Sequence, residues 1–252
     1  MYTFQLFSDI HTEMGKSFPK IPPLSPNLFL AGDIGNSGNP TLYEFLDYCS
    51  QNWENVYYVP GNHEFYVPNS TFTKLNNDYK KVIGERYKNV HYLDSDVLPL
   101  TDEINLYAST FWTRQTPKPF HRYDGFADYL YLSKDEVMAL SIEQEAKLRA
   151  YLSTSTKKTI VMTHFPPLQT NTSNPRFAST PQDTKDYFAW NPDIIGDIDC
   201  KNVICWISGH THYSYDFVET NGVRFISNQM GYKQDALGDD TNLFKEDGLF
   251  EL

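Results

Sequence analysis

The chemically suggestive residues of this chain are two aspartates, one asparagine and four histidines that fall in short strings. They are Asp9 and His11, Asp33, Asn62, His164, and His210 with His212, and they span about four fifths of the sequence. The strings read Asp9-Ile10-His11, Gly32-Asp33, Gly61-Asn62-His63-Glu64, Met162-Thr163-His164 and Gly209-His210-Thr211-His212, and they hold five of the seven histidines. Carboxylate, neutral imidazole and amide carbonyl together suit divalent ions that accept mixed oxygen and nitrogen ligands. No string contains cysteine. A closed structural zinc site more often recruits thiolates, whereas a His and Asp set leaves room for water and for chemistry. Seven donors also exceed what one ion needs. Two ions sharing one carboxylate would use them all, and such pairs, about 3.5–4 Å apart, clamp the attacking and leaving oxygens of a phosphoryl displacement.

Each string follows an apolar run, at residues 4–7, 28–31, 56–59, 160–162 and 203–207. Short apolar runs bounded by polar residues read as buried strands. The donors then sit on loops leaving strand ends, where rigid scaffolds carry their chemistry.

The ordered series D-x-H, G-D, G-N-H-E, a lone H and G-H-x-H resembles the calcineurin-like metallophosphoesterase superfamily. The resemblance implies a first divalent ion on Asp9, His11, Asp33 and His212, and a second on Asn62, His164 and His210, with Asp33 bridging. It implies that His63 is not a ligand and protonates the leaving oxygen. It also implies that a hydroxide bridging the ions attacks phosphorus, since metal coordination lowers the pKa of water towards about 7. Mixed Asp, His and Asn donors leave manganese, iron, zinc, cobalt and nickel all open, because availability rather than affinity often decides. Glu64 either orients the site or supports it structurally.

Departures from other branches narrow the resemblance. The superfamily's protein serine/threonine phosphatases have G-D-x-x-D-R-G at the second string, but here Asp33 is followed by Ile34-Gly35-Asn36-Ser37-Gly38. Purple acid phosphatases place a tyrosine where Asn36 stands, and a lipid A pathway hydrolase has arginine in place of His63. What remains is similar to small soluble phosphohydrolases and class III cyclic-nucleotide phosphodiesterases. Local likeness to bacterial-type phosphohydrolases extends over 61–66, 109–113 and 228–232.

Composition sets further bounds. The 252 residues are 40% apolar, with 17 Phe and 18 Tyr, enough for one layered domain spanning 1–252. A net charge of -11, with basic pairs only at Lys80-Lys81 and Lys157-Lys158, argues against duplex nucleic acid as a partner. No apolar run approaches the roughly 18 residues of a membrane span. Asp9 lies so near the start that cleavage of a signal peptide would remove it, so a cytoplasmic protein is expected. Cys49, Cys200 and Cys205 leave one thiol unpaired under any pairing, and buried free thiols in a reducing compartment account for them.

A helix is expected over 39–51, with Leu42, Phe45, Leu46 and Cys49 on one face. Ser141 and Gln144 read as a capping box opening a second helix. Asn221-Gly222 between 214–219 and 223–227 reads as a hairpin, and 248–252 as an edge strand. Together with the resemblance, these elements imply an α/β fold: a four-layer α-β-β-α sandwich of two mixed β-sheets flanked by helices. The hundred residues between His63 and His164 leave space for an aromatic-rich insertion around 112–135, read either as a lid over the metals or as a packed connection. Residues 166–181 would add a wall. Arg114, Arg122 and Arg176 are candidate phosphate contacts, His121 falls in the same insertion, His91 reads as an ordinary strand residue, and 235–246 as a solvated acidic segment. The leading function is hydrolysis of small phosphomonoesters or phosphodiesters, nucleotides included. A nuclease on short single strands and a non-catalytic metal-binding interaction module are the other two classes.

Overall fold

The computed structural model describes residues 2–15, 17–114, 128–190, 194–232, 235 and 243–252. Two sheets carry the site. The first runs in the order β11 (Leu249–Glu251), β1 (Thr3–Phe7), β2 (Asn27–Ala31), β3 (Asn55–Val59), β4 (Val90–Tyr92). All its pairings are parallel except that of β11 with β1. The second is β5 (Asp96–Pro99), β6 (Ile104–Ser109), β7 (Lys158–Thr163), β8 (Val203–Ile207), β10 (Arg224–Ser227), β9 (Tyr215–Val218). Only its two edge pairs are antiparallel. Both sheets are therefore mixed, as expected, and 249–251 supplies the expected edge.

Strand alternation divides the apolar side chains among three cores. Phe4, Leu6, Phe29, Ala31, Tyr57 and Val59 of the first sheet meet Leu106, Ala108, Ile160, Met162 and Ile207 of the second. The opposite faces of β2 and β3 present Leu28, Leu30, Val56 and Tyr58 to α1 (Pro40–Asn52) and α2 (Phe72–Arg86). The outer face of the second sheet presents Tyr107, Val161, Trp206 and Phe225 to Leu148 and Leu152 of α4 (Lys134–Thr154). Helix, sheet, sheet and helix make the four-layer sandwich.

Helix α1 follows its sequence signals. Asn39 accepts the Thr41 N–H, Pro40 occupies the first turn, and Leu42, Phe45, Leu46 and Cys49 are buried. Helix α4 corrects an expectation. It starts at Lys134 with Ser133 accepting the Glu136 N–H, so Ser141 and Gln144 lie inside it rather than at its cap. Gln144 accepts the Trp112 N–H and donates to Asp94, and this tertiary pairing mimics a cap in the sequence.

The hairpin forms as expected, with Gly222 at φ +85. None of Cys49, Cys200 and Cys205 forms a disulfide. His91 sits on β4 with its ring stacked on Tyr57. Among the described residues no helix is long and apolar enough to cross a membrane. Much of the stretch between His63 and His164 is α2, β4, β5, β6 and α4. Of the expected insertion, 115–127 with His121 and Arg122 lies outside the described residues, and its described flanks place Trp112 and Leu132 in the first core.

Candidate metal centre

Strands β1, β2, β3, β7 and β8 all deliver their donors from their carboxyl ends, the edge where open α/β sheets bind ligands. The two sheets are linked at that edge. Ser8 bridges to Gln229, the Gly231 N–H donates to the Asp9 carbonyl, and His164 Nδ1 meets the Ala31 carbonyl, while within the second sheet the Gly209 N–H donates to the His164 carbonyl. The loops after β1 and β2 are also joined, by Asp9 N–H to Gly32 and His11 N–H to Asp33.

The backbone is strained here. Asp9, His11, Asp33, His210 and His212 all have φ between 51 and 73, outside the range that side-chain-bearing residues prefer. Each costs about 1 kcal/mol or more. Several such residues in one place persist only where their surroundings over-determine them, which is characteristic of sites rather than of scaffolds. Gly61 shows how tight the packing is: a Cβ there would lie 2.2 Å from Asp33 Oδ1. One at Gly209 would lie 2.8 Å from Asp9 Oδ2.

All seven expected donors converge on this edge, and they form two groups. Asp9, His11 and His212 bring donor atoms within 4.8 Å of one another, as do Asp33, His164 and His210. Asn62 Oδ1 joins the second group, 3.0 Å from His164 Nε2. Asp33 faces both groups, with Oδ2 3.9 Å from His11 Nε2 and Oδ1 3.4 Å from His164 Nε2. A third trio, His11, Glu13 and His63, also meets the 4.8 Å limit. Glu13 Oε1 lies 3.0 Å from His11 Nδ1 and 2.8 Å from His63 Nδ1, so hydrogen bonds already account for that contact.

The donor set fits divalent cations. The His11 and His212 Nε2 atoms point at each other across 3.0 Å, and the buried His210 Nε2 has no hydrogen-bond partner among the described residues. The other ring nitrogens are held from behind: His11 Nδ1 by Glu13, His164 Nδ1 by the Ala31 carbonyl at 3.0 Å, and His212 Nδ1 by Asp235 at 2.6 Å. Such partners fix the tautomer and aim Nε2 at a metal.

Glu64 is fully buried and braces the loops. Its carboxylate accepts N–H bonds from Asp33, Ile34, Gly35 and Gly61 and the Tyr58 hydroxyl. Asn62 is aimed by a residue with no motif of its own. Its amide nitrogen donates to Asp128 at 2.9 Å and to the Tyr66 hydroxyl at 2.8 Å, which turns Oδ1 towards His164. Tyr66 and Tyr187 also donate to Asp128, which is fully buried at the start of α3 (Asp128–Tyr131). Replacing Asp128 with asparagine keeps its shape but removes an acceptor that faces three donors. That variant is expected to bind metal about tenfold or more weakly, as losses of groups orienting ligands do. Chelator competition measures this, and unchanged affinity would show that Asn62 is aimed by other contacts.

Negative charge dominates the centre. Burial disfavours the His63 imidazolium, but Asp33 and the bond to Glu13 outweigh it and raise the group to about 9. Burial likewise opposes charge on Glu13, yet its bonds to His11 and His63 lower it to about 2. In metal-free protein the His63 contribution to stability is fully present below pH 6.5, its ordinary value, and is lost as pH rises through about 9. That of Glu13 is present above pH 4.5 and is lost as pH falls through about 2. The Tm gap between metal-free wild type and Glu13→Gln is therefore expected to be widest between pH 4.5 and 6.5 and to narrow on both sides. A gap independent of pH would contradict the pairing.

A cavity of about 310 Å³ opens over the donors, lined by His63, Tyr66, Arg176, Phe177, Tyr187, Phe188, Tyr232 and Asp235 among others. Arg176 and Phe177 come from the expected wall at 166–181. Arg114 does not reach the cavity and instead pairs with Glu145 on α4. Asp235 overturns part of the acidic-segment expectation, because it holds His212; residues 236–242 lie outside the described residues. Glu13, Asp128 and Asp235 were not singled out from sequence. Only Glu13, two residues beyond His11, lay near enough to a string to be found.

A protein of Acanthamoeba polyphaga mimivirus, L509, of uncharacterised function, is 27% identical over 93% of this chain and 93% of its own. Phosphopantetheinyl hydrolase of Mycobacterium tuberculosis superposes with a TM-score of 0.64 at 20% identity, over 95% of this chain and 93% of that one. A dimetal phosphatase from Danio rerio gives 0.50 at 15% identity, over 90% and 87%. At such identities the two superpositions speak for the fold. The sequence pattern of the family described as Calcineurin-like phosphoesterase matches residues 2–214. This chain belongs to that family, whose members are metal-dependent phosphoric ester hydrolases.

Proposed function

We propose that the protein is a dinuclear metallophosphoesterase that hydrolyses small phosphomonoesters or phosphodiesters, nucleotides among them. The observation that carries this reading is the pair of donor groups with Asp33 between them. Asp9, His11, Asp33 and His212 would hold one ion, and Asp33, Asn62, His164 and His210 the other. Manganese, iron, zinc, cobalt or nickel would all suit these donors. When bound, the ions supply Lewis-acid polarisation of the phosphoryl group and water acidified to near neutrality.

The chain's own residues do the rest. In the net reaction water adds to phosphorus, one P–O ester bond breaks, and the alcohol leaves with a proton. His63 stands on the cavity wall with Nδ1 anchored by Glu13 and Nε2 3.9 Å from Asp33, placed to give the leaving oxygen its proton. Arg176, with Nη2 3.9 Å from Asp235, is the only lysine or arginine among the described residues lining the cavity, and a guanidinium is suited to a phosphate oxygen. Tyr66, Phe177, Phe188 and Tyr232 wall off water around the ester. Free thiols fit a cytoplasmic setting.

The test uses metal-stripped protein refilled in turn with Mn²⁺, Zn²⁺, Co²⁺ and Ni²⁺, assayed on p-nitrophenyl phosphate and bis-p-nitrophenyl phosphate. Turnover with at least one metal, and none with chelator, is expected. The ratio of the two rates assigns monoester or diester preference. No turnover on either ester with any metal would overturn the reading in favour of an interaction module.

A further inference from the structure

A second and larger cavity, of about 800 Å³, lies beside the one over the donors. Asn174, Phe177, Phe188 and Thr211 line both, so the two share a wall. Phe177 is 47% exposed, which leaves the rim of that wall open for a ligand to cross.

The two cavities differ in chemistry. The first gathers carboxylates, imidazoles and Arg176, a setting for a phosphate and its cations. In the second, only two of the described lining residues carry charge: Asp216, which pairs with Arg224 at 2.8 Å, and Lys185, whose Nζ donates to the Ala178 carbonyl at 2.7 Å and keeps its charge. The remaining described lining is neutral, with hydroxyl and amide groups such as Thr184 and Gln169 among the rings of Tyr213 and Phe217. Two of the chain's exposed large apolar side chains, Phe177 and Leu243, border it. Exposed apolar side chains that converge on one cavity mark binding surface more often than chance placement. A mostly neutral lining that mixes apolar area with a few hydrogen-bonding groups is typical of pockets for uncharged organic groups.

We infer that the substrate is a phosphate ester of a large, uncharged alcohol, whose phosphate sits over the metal donors and whose arm extends past Phe177 into the second cavity. This rests on the hydrolytic reading and adds the substrate class to it. The second cavity is then the specificity element of the enzyme. It selects by the body of the alcohol, while the donors act on the ester whatever it carries.

Three probes test the assignment on the metal-loaded protein by calorimetry: methylphosphonate, a hexylphosphonate ending in a hexanoylamino group, and the same chain ending in a carboxylate. The neutral chain is expected to bind about tenfold or more tightly than methylphosphonate, a gain typical of filling a preformed pocket. The carboxylate chain is expected to lose most of that gain. Ala178→Trp and Thr184→Trp, two separate fillings of the cavity, should each erase the gain while methylphosphonate binding stays unchanged. Melting curves identify any variant that fails to fold, and the other then decides. Equal binding of methylphosphonate and the neutral chain to wild type would overturn the inference. So would equal binding of the neutral and carboxylate chains, or a gain that survives in the folded filled variants. Calorimetry needs no turnover, so loss of the hydrolytic reading, seen as phosphonate binding without hydrolysis of any ester, is distinguishable from loss of the arm site.

Discussion

Replacing Asp33 with asparagine is expected to lower kcat/KM by about a thousandfold or more, equivalent to about 4 kcal/mol of transition-state stabilisation. Metal content should fall from two ions towards one. Asp33 is 2% exposed, and its oxygens face opposite ways, Oδ1 towards His164 and Oδ2 towards His11 and His63. Asparagine keeps the size but removes the charge and turns one oxygen into a donor among groups that need an acceptor. It also tolerates the left-handed backbone of this position, where φ is 53, better than most residues do, so the loop should hold its course. Metal analysis after dialysis, a melting curve and steady-state kinetics on one preparation separate loss of metal from loss of fold. A folded variant that keeps two ions and near-normal turnover would show that Asp33 does not join the two halves.

Legibility in the sequence follows from how local each signal is. The strands delivering the donors are buried on both faces, so each reads as an apolar run whatever its neighbours, and β1, β2, β3, β7 and β8 lie where those runs lie. The strings were legible because each leaves a strand end as a short polar run, three of the five headed by a glycine, Gly32, Gly61 and Gly209. Helix α4 was misplaced because Gln144 is polar for a distant reason, its contacts with Trp112 and Asp94 across the fold. Asp128 escaped notice for the same reason: its partners Asn62, Tyr66 and Tyr187 lie up to 66 residues away. The groups aiming the donors are set by tertiary contact and leave no local pattern. Arg114 is the converse case, a cation whose sequence position suggested the site but whose partner, Glu145, turns it elsewhere.

His63→Ala is expected to separate chemistry from metal binding: two ions retained, KM little changed, and kcat lower by about 10²–10⁴-fold, the usual range for a lost general acid. His63 belongs to neither donor group around Asp33. Its backbone N–H holds Asp33 Oδ1 at 2.8 Å, a contact that alanine keeps. Its side chain is 18% exposed on the cavity wall, so truncation leaves space that water can fill rather than a collapsed core. Glu13 would lose one of its two imidazole partners and keep His11. Glu13→Gln should give a smaller loss of kcat than His63→Ala, because it leaves the imidazole in place and removes only the anion that favours its protonated form. If His63 were instead a ligand, its removal would release metal, and activity would recover with added Mn²⁺ or Zn²⁺. If it only braced the loop, kcat would follow the melting temperature rather than fall ahead of it. A large loss of kcat at full metal content and near-normal Tm agrees only with a proton donor held in place by Glu13.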